Sequence, residues 1–176
     1  NYLLGQIDED QSNFSTAKEF YQEALDSALA AQPPDKLLIG LGYYHLGCVQ
    51  YHQGYYAEAH RDLNRASVDE AVDQHLATRI NRRIGSVLIG LGAYEDAIWY
   101  FSRLENTLKT LGRRRDFARL SNKQALLYLH LKNWAEAKAK IDEAFRIFHD
   151  EMEDTRRMGS TQLLLSIWYV SQNKME

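Results

Sequence analysis

At 176 residues the chain can bury a substantial core and still be one domain. Its 45% hydrophobic and 26% charged content is that of an ordinary folded protein, and no apolar run approaches the ~20 residues that a membrane-spanning helix needs. One cysteine, Cys48, excludes an internal disulfide and points to a reducing, cytoplasmic setting.

The net charge of −3 is unevenly spread. Residues 1–70 hold 11 acidic and 4 basic side chains, a balance of −7, whereas the remainder carries +4. Such polarity along a chain can orient a charged partner. The two prolines are adjacent at Pro33-Pro34, so almost nothing interrupts a helix elsewhere.

A first helix is predicted from about Tyr2 to Gln11. Asn1 falls part-way into its pattern, so the chain is expected to be a fragment of a longer protein. Ser12 or Asn13 can cap the next helix, about Ser15 to Ala31, which Pro33-Pro34 ends. Asp35 opens a helix to about Gln53, closed by Gly54, and its partner runs from about Tyr56 to Val72. Asp73 caps a helix reaching Leu91 before a corner at Gly92. Tyr94 to about Leu111 follows, with Gly112 as a left-handed stop. Arg113 to Lys132 and Trp134 to about Glu151 flank a corner at Lys132-Asn133. The last helix, Thr155 to about Gln172, has no partner after it. Its Leu163, Leu164, Leu165, Ile167, Trp168, Tyr169 and Val170 are too apolar for one buried face, which predicts either a continuing array or self-association through 155–172.

These elements repeat. Gly47, Tyr56, Ala59 and Leu63 lie at offsets 0, 9, 12 and 16, and so do Gly85, Tyr94, Ala97 and Phe101. Gly5, Phe14, Ala17 and Tyr21 follow the same spacing, as do Ala125, Trp134, Ala137 and Ile141. Ala24, Ala66 and Ala144 add a small residue at offset 19. Glycine inside a helix costs about 1 kcal/mol relative to alanine, so its recurrence at one phase implies close backbone approach. The alanines mark a small-residue stripe on a second, antiparallel helix, and the aromatic at offset 9 plugs the corner. One such pair cannot bury its apolar face alone, so pairs must stack. Trp99, Trp134 and Trp168 fall at repeat-determined phases and are expected in the packing.

Leu46-Gly47, Gly54, Tyr56 and Ala59, with Gly85, Leu88, Gly92, Tyr94, Ala97 and Phe101, resemble the tetratricopeptide repeat (TPR) family over nearly the whole chain. Asp8 and Gln50 depart from its usual aromatic at offset 3, and Leu104 from its alanine at offset 19. Anchor spacings of 42, 38 and 40 exceed the family's usual ~34, which resembles its long-repeat variety. The resemblance implies an all-α fold, a right-handed α-solenoid of about four and a half antiparallel pairs, or nine helices. It would be a single array over 1–176, with repeats near 1–34, 35–72, 73–112, 113–153 and a half repeat 154–176.

In that family the first helix of each pair lines a concave groove. Carried onto this chain, the resemblance implies a peptide-binding groove lined by Tyr2 and Gln6; Tyr44, Cys48, Tyr51 and His52; Arg79, Arg82, Ser86 and Ile89; and Arg119, Asn122, Leu126, Leu129 and His130. Arginines there can hold carboxylates through paired hydrogen bonds. Tyr44 and Tyr51 would supply rigid contact area. The family's clamp for chaperone tails is not expected, because of Tyr2, Gln6, Cys48, Arg82 and Ser86 only Arg82 suits it.

Other chemistry is weakly signalled. Cys48 and His52 are four apart, but nothing supplies the further ligands that a metal site needs. Arg113-Arg114-Arg115 reads as a solvated helix start diluted by Asp116, not as a nucleic-acid patch. No phosphate loop or isolated carboxylate constellation is present, so no cofactor, metal or catalysis is expected. The resemblance implies a non-catalytic protein–protein interaction module binding a peptide or protein segment, with acidic groups near the arginines. Its alternatives are a ligand-sensing regulatory domain of a bacterial transcriptional or signalling protein, and an oligomerisation scaffold.

Overall fold

A computed structural model describes residues 13–67, 73–151 and 155–173. The predicted first helix, with Tyr2, Gly5, Gln6 and Asp8, lies outside them. Eight α-helices follow in order: α1 (Phe14–Ala30), α2 (Lys36–His52), α3 (Tyr56–Ser67), α4 (Gln74–Gly90), α5 (Tyr94–Thr110), α6 (Arg114–His130), α7 (Trp134–Arg146) and α8 (Thr155–Asn173). Among the described residues there is no strand. The chain divides into two compact units, 1–100 and 101–176, the division falling within α5.

The helix boundaries follow from local chemistry. The carboxylates of Asp35 and Asp73 accept the backbone N–H of Leu38 (3.0 Å) and Leu76 (2.7 Å), satisfying donors that a helix start leaves open. Asn13 sits at the start of α1 but makes no such bond. Four helices end in the same closing turn. In the turn after α2, the Tyr55 N–H reaches the Gln50 carbonyl (2.9 Å) and the Gly54 N–H reaches Tyr51 (3.1 Å). This turn needs a left-handed residue, supplied by Gly54, Gly92 and Gly112 and, after α6, by Lys132 at φ 57°.

In the first unit, α2 packs against α1 and α3, and α4 against α3 and α2. Ala17, Tyr21, Leu25, Leu46 and Val49 form its core. Gly47 is where α2 and α3 meet. A Cβ there would stand 2.6 Å from Leu63 Cγ and 3.2 Å from the Ala59 carbonyl oxygen, so the close approach implied by the repeat is real at this position. Tyr56, the corner aromatic, lies on Gly90 of α4, where a Cβ would meet its ring at 2.8 Å. Gln50, the departure at offset 3, is buried and donates to the buried Asp62 (2.8 Å), which also faces Arg61 and Arg65. A polar link between paired helices thus stands where an aromatic is usual.

In the second unit, α7 packs on α6 and α8 packs on both. Ala125, Leu129, Ala137, Ile141 and Leu164 form its core, with Trp134 and Trp168 packed against it. The Trp168 indole donates to the Trp134 carbonyl (2.9 Å). Trp99 departs from expectation: it is 54% exposed, set edge-on to Tyr100 rather than buried. After α7 the backbone widens into a π turn, Ile147–Glu151, in which the consecutive side chains of Ile147 and Phe148 are both fully buried. A polar network joins α5, α6 and α7. Glu105 accepts from Lys140 (2.7 Å), Lys109 (2.7 Å) and Gln124 (3.2 Å), and Ser121 donates to Glu143 (3.0 Å).

Candidate functional site

The residues that the repeat phase assigns to an inner face fall into two differently built sets, one in each unit. In the first unit, Tyr44 and Tyr51 on α2 face arginines of α4. The Arg79 guanidinium lies 4.7 Å from the Tyr44 ring centre, and that of Arg83 lies 5.0 Å from Tyr51. Contacts of this kind contribute about 0.5–2 kcal/mol, more when shielded from water. Tyr44 is buried, and burial pushes its phenol above the ordinary range; Cys48 adds to the rise while Arg79 and Arg83 partly offset it. Cys48 and Ser86 are buried as well, and the Ser86 hydroxyl donates to the Arg82 carbonyl (3.1 Å). His52 is exposed and stacks parallel to Phe14, with ring centres 5.3 Å apart. Arg82 is exposed and Ile89 half-buried.

Arg83 was not among the residues that the repeat phase singled out. A signal for it was present: it follows Arg79 by four residues, so the two share a helical face.

In the second unit, α6 and α8 border an open groove of about 710 Å³. Arg119, Asn122, Lys123 and Leu126 line it from α6; Ser160, Leu163, Leu164 and Ile167 line it from α8, and Phe148 contributes from the π turn. Each helix thus offers residues at i, i+3, i+4 and i+7, one continuous face. Leu126 (52% exposed), Leu163 (62%) and Ile167 (40%) give it an accessible apolar lining. Arg119 faces Asp116 at 3.7 Å and is itself half-exposed. Asn122 exchanges hydrogen bonds with Thr161, donating at 2.9 Å and accepting at 3.1 Å. Leu129 belongs to the core cluster with α7 and not to this lining, and His130 is exposed.

Ser160, Leu163 and Ile167 lie 41 residues beyond Arg119, Asn122 and Leu126. The same shift relates Ser166 to Ala125, so extending the repeat phase into the last helix would have found them. Arg113 binds Asp116 through Nε (2.9 Å), while Arg114 lies over Phe117 (5.9 Å). Both contacts fit a helix start. Among the described residues no three His, Cys, Asp or Glu side chains gather as metal ligands, and no helix is long and apolar enough to cross a membrane.

No family model matches the chain, and no curated protein matches it in sequence. Solved structures do match in fold. BtubC (BKLC) from P. vanneervenii superposes with a TM-score of 0.81 at 19% identity, covering 97% of this chain and 70% of BtubC. The apo form of RapI gives 0.84 at 16% identity, over 98% of this chain and 63% of RapI. A Rap protein complexed with Competence and Sporulation Factor gives 0.75 at 17% identity, over 99% of this chain and 48% of its own length. The chain has a helical-repeat fold. It is a tetratricopeptide-like α-solenoid of antiparallel helix pairs, spanning 48% to 70% of the length of these larger proteins.

Proposed function

We propose that this chain is a non-catalytic interaction module of the long-repeat tetratricopeptide kind, and that it binds a peptide or protein segment against its inner helices. The observation that carries this reading is the groove between α6 and α8: a concave face with exposed leucine and isoleucine side chains and cations at its edge. Apolar pockets with a few placed polar groups are the usual form of a binding site. The solved Rap protein of this fold, complexed with Competence and Sporulation Factor, supports the same reading.

The remaining predicted residues join the proposal unit by unit. In the first unit, Arg82 offers an exposed guanidinium beside the tyrosine–arginine pairs; in the second, Arg119 does so at the groove. In each unit the guanidinium group is suited to engage a carboxylate of a bound segment. The test is capture of binding partners from a lysate of the source cells, followed by affinity measurement with Arg82→Glu and Arg119→Glu. Charge reversal is expected to weaken binding at least tenfold. Unchanged affinity removes the arginines from the site.

A further inference from the structure

Building on that reading, we infer that the groove of the second unit takes an amphipathic α-helix bearing carboxylates along one flank, not an extended peptide. Three observations point there. The first is the hydrogen-bonding inventory. An extended segment brings alternating N–H and C=O groups that must be satisfied on burial, usually by side-chain amides or a sheet edge. The amide suited to that task, Asn122, is already committed to Thr161, which is fully buried, and also reaches Ser160 at 3.5 Å. Among the described residues, the other polar side chains of the lining are Arg119, Lys123 and Ser160. The two cations donate and cannot accept, so of these side chains the Ser160 hydroxyl alone offers an acceptor to the N–H groups of a strand. A helix satisfies its backbone internally and needs only side-chain contacts.

The second observation is length. From Arg119 to Leu126, and from Ser160 to Ile167, each wall runs about 10 Å, two helical turns. That span matches apolar anchors at i, i+3 or i+4, and i+7 on a docking helix. The third is charge. Arg119 and Lys123 stand one turn apart on the same wall, Lys123 also lying 6.0 Å from the Phe101 ring centre, and this pair of cations favours acidic side chains one turn apart on the occupant. The helix α8 of a second copy has the apolar residues but no acidic residue between Thr155 and Asn173, so it lacks the complementary charge. The occupant this favours over α8 of a second copy is a segment of a different chain that carries acidic residues at that spacing.

A phage-displayed library of random 14-residue peptides, panned against the full chain, tests this. Enriched sequences are expected to show apolar residues at helical spacing with flanking Asp or Glu and without internal proline. Leu163→Glu and Arg119→Glu, both at exposed positions, should each weaken such a binder at least tenfold while circular dichroism shows the fold intact. A central proline in the peptide should do the same. Enriched peptides that are non-periodic, tolerate the proline, or ignore Leu163→Glu overturn the helical occupant but leave peptide binding standing. Absence of any enriched binder overturns both. Concentration-dependent dimerisation abolished by Leu163→Glu assigns the groove to a second copy and overturns the inference.

Discussion

Arg79 and Arg119 stand at the same phase of the repeat, six residues before Gly85 and Ala125, yet they have different surroundings. In the first unit Arg79 closes over Tyr44 of α2. In the second, Arg119 faces Asp116 of its own helix at 3.7 Å and borders an open groove. Repeat phase decides which face a side chain is on. The residue opposite decides whether it packs over a ring or borders open space. Both units carry cation–π contacts, and the second adds an ionic network on Glu105 that joins three of its helices.

The largest effect is expected from breaking that network. Glu105→Ala leaves Lys140 and Gln124, both largely buried, without their shared acceptor, which should destabilise the second unit by about 2–4 kcal/mol in urea unfolding. The pH dependence follows from the same contacts. Burial opposes the charge on Glu105, but hydrogen bonds from Lys109, Lys140 and Gln124 outweigh it and hold its carboxyl below the ordinary range. A carboxylate lowered on folding contributes stability that is full above its unfolded pKa, about 4.3, and is lost as pH falls through the folded value. Wild-type stability should therefore drop between pH 5 and 3 more steeply than that of Glu105→Gln. Parallel titration curves would remove Glu105 from that role.

In the first unit the corresponding break is steric. Gly47→Ala sets a methyl group against Leu63 and the Ala59 carbonyl, and should cost about 1–3 kcal/mol as α2 and α3 separate. Next in size is the arginine contrast. Arg79→Leu should cost about 0.5–2 kcal/mol through the lost contact with Tyr44, whereas Arg119→Leu should change stability by no more than about 0.5 kcal/mol. Equal losses for the two would erase the distinction between a closed and an open face.

The glycine, aromatic and alanine phases made the helix pairs legible in the sequence because small residues recur only where backbones must touch. Ala59, Ala66, Ala97, Ala137 and Ala144 are all fully buried, as are Tyr21, Leu63, Phe101 and Ile141 at offset 16. The site was legible as a face but not as a surface. The family resemblance implied a shared lining for Cys48, Ser86 and Arg82, though the first two are buried. Arg83 lies two residues before Gly85, outside the groove positions of the family, yet it faces Tyr51. Nor could phase reveal that Thr161 would engage Asn122, since that needs two helices 39 residues apart to be brought together. Trp99 shows the same limit, a repeat-phased aromatic that lies half in solvent because nothing in the phase specifies what covers it.

The smallest effect has the opposite sign and separates packing glycines from incidental ones. Gly159 lies within α8, is exposed, and has nothing within 4 Å of where a Cβ would stand. Its only contribution is backbone freedom, which a helix must suppress. Gly159→Ala should therefore stabilise the second unit by about 0.5–1 kcal/mol. The same substitution at Gly47 destabilises the first, although both glycines sit in helices of similar pattern. Thermal unfolding of the two variants side by side reads the contrast directly. A loss of stability at Gly159 would mean that another chain, or another part of this one, approaches α8 as closely as Leu63 and Ala59 approach Gly47.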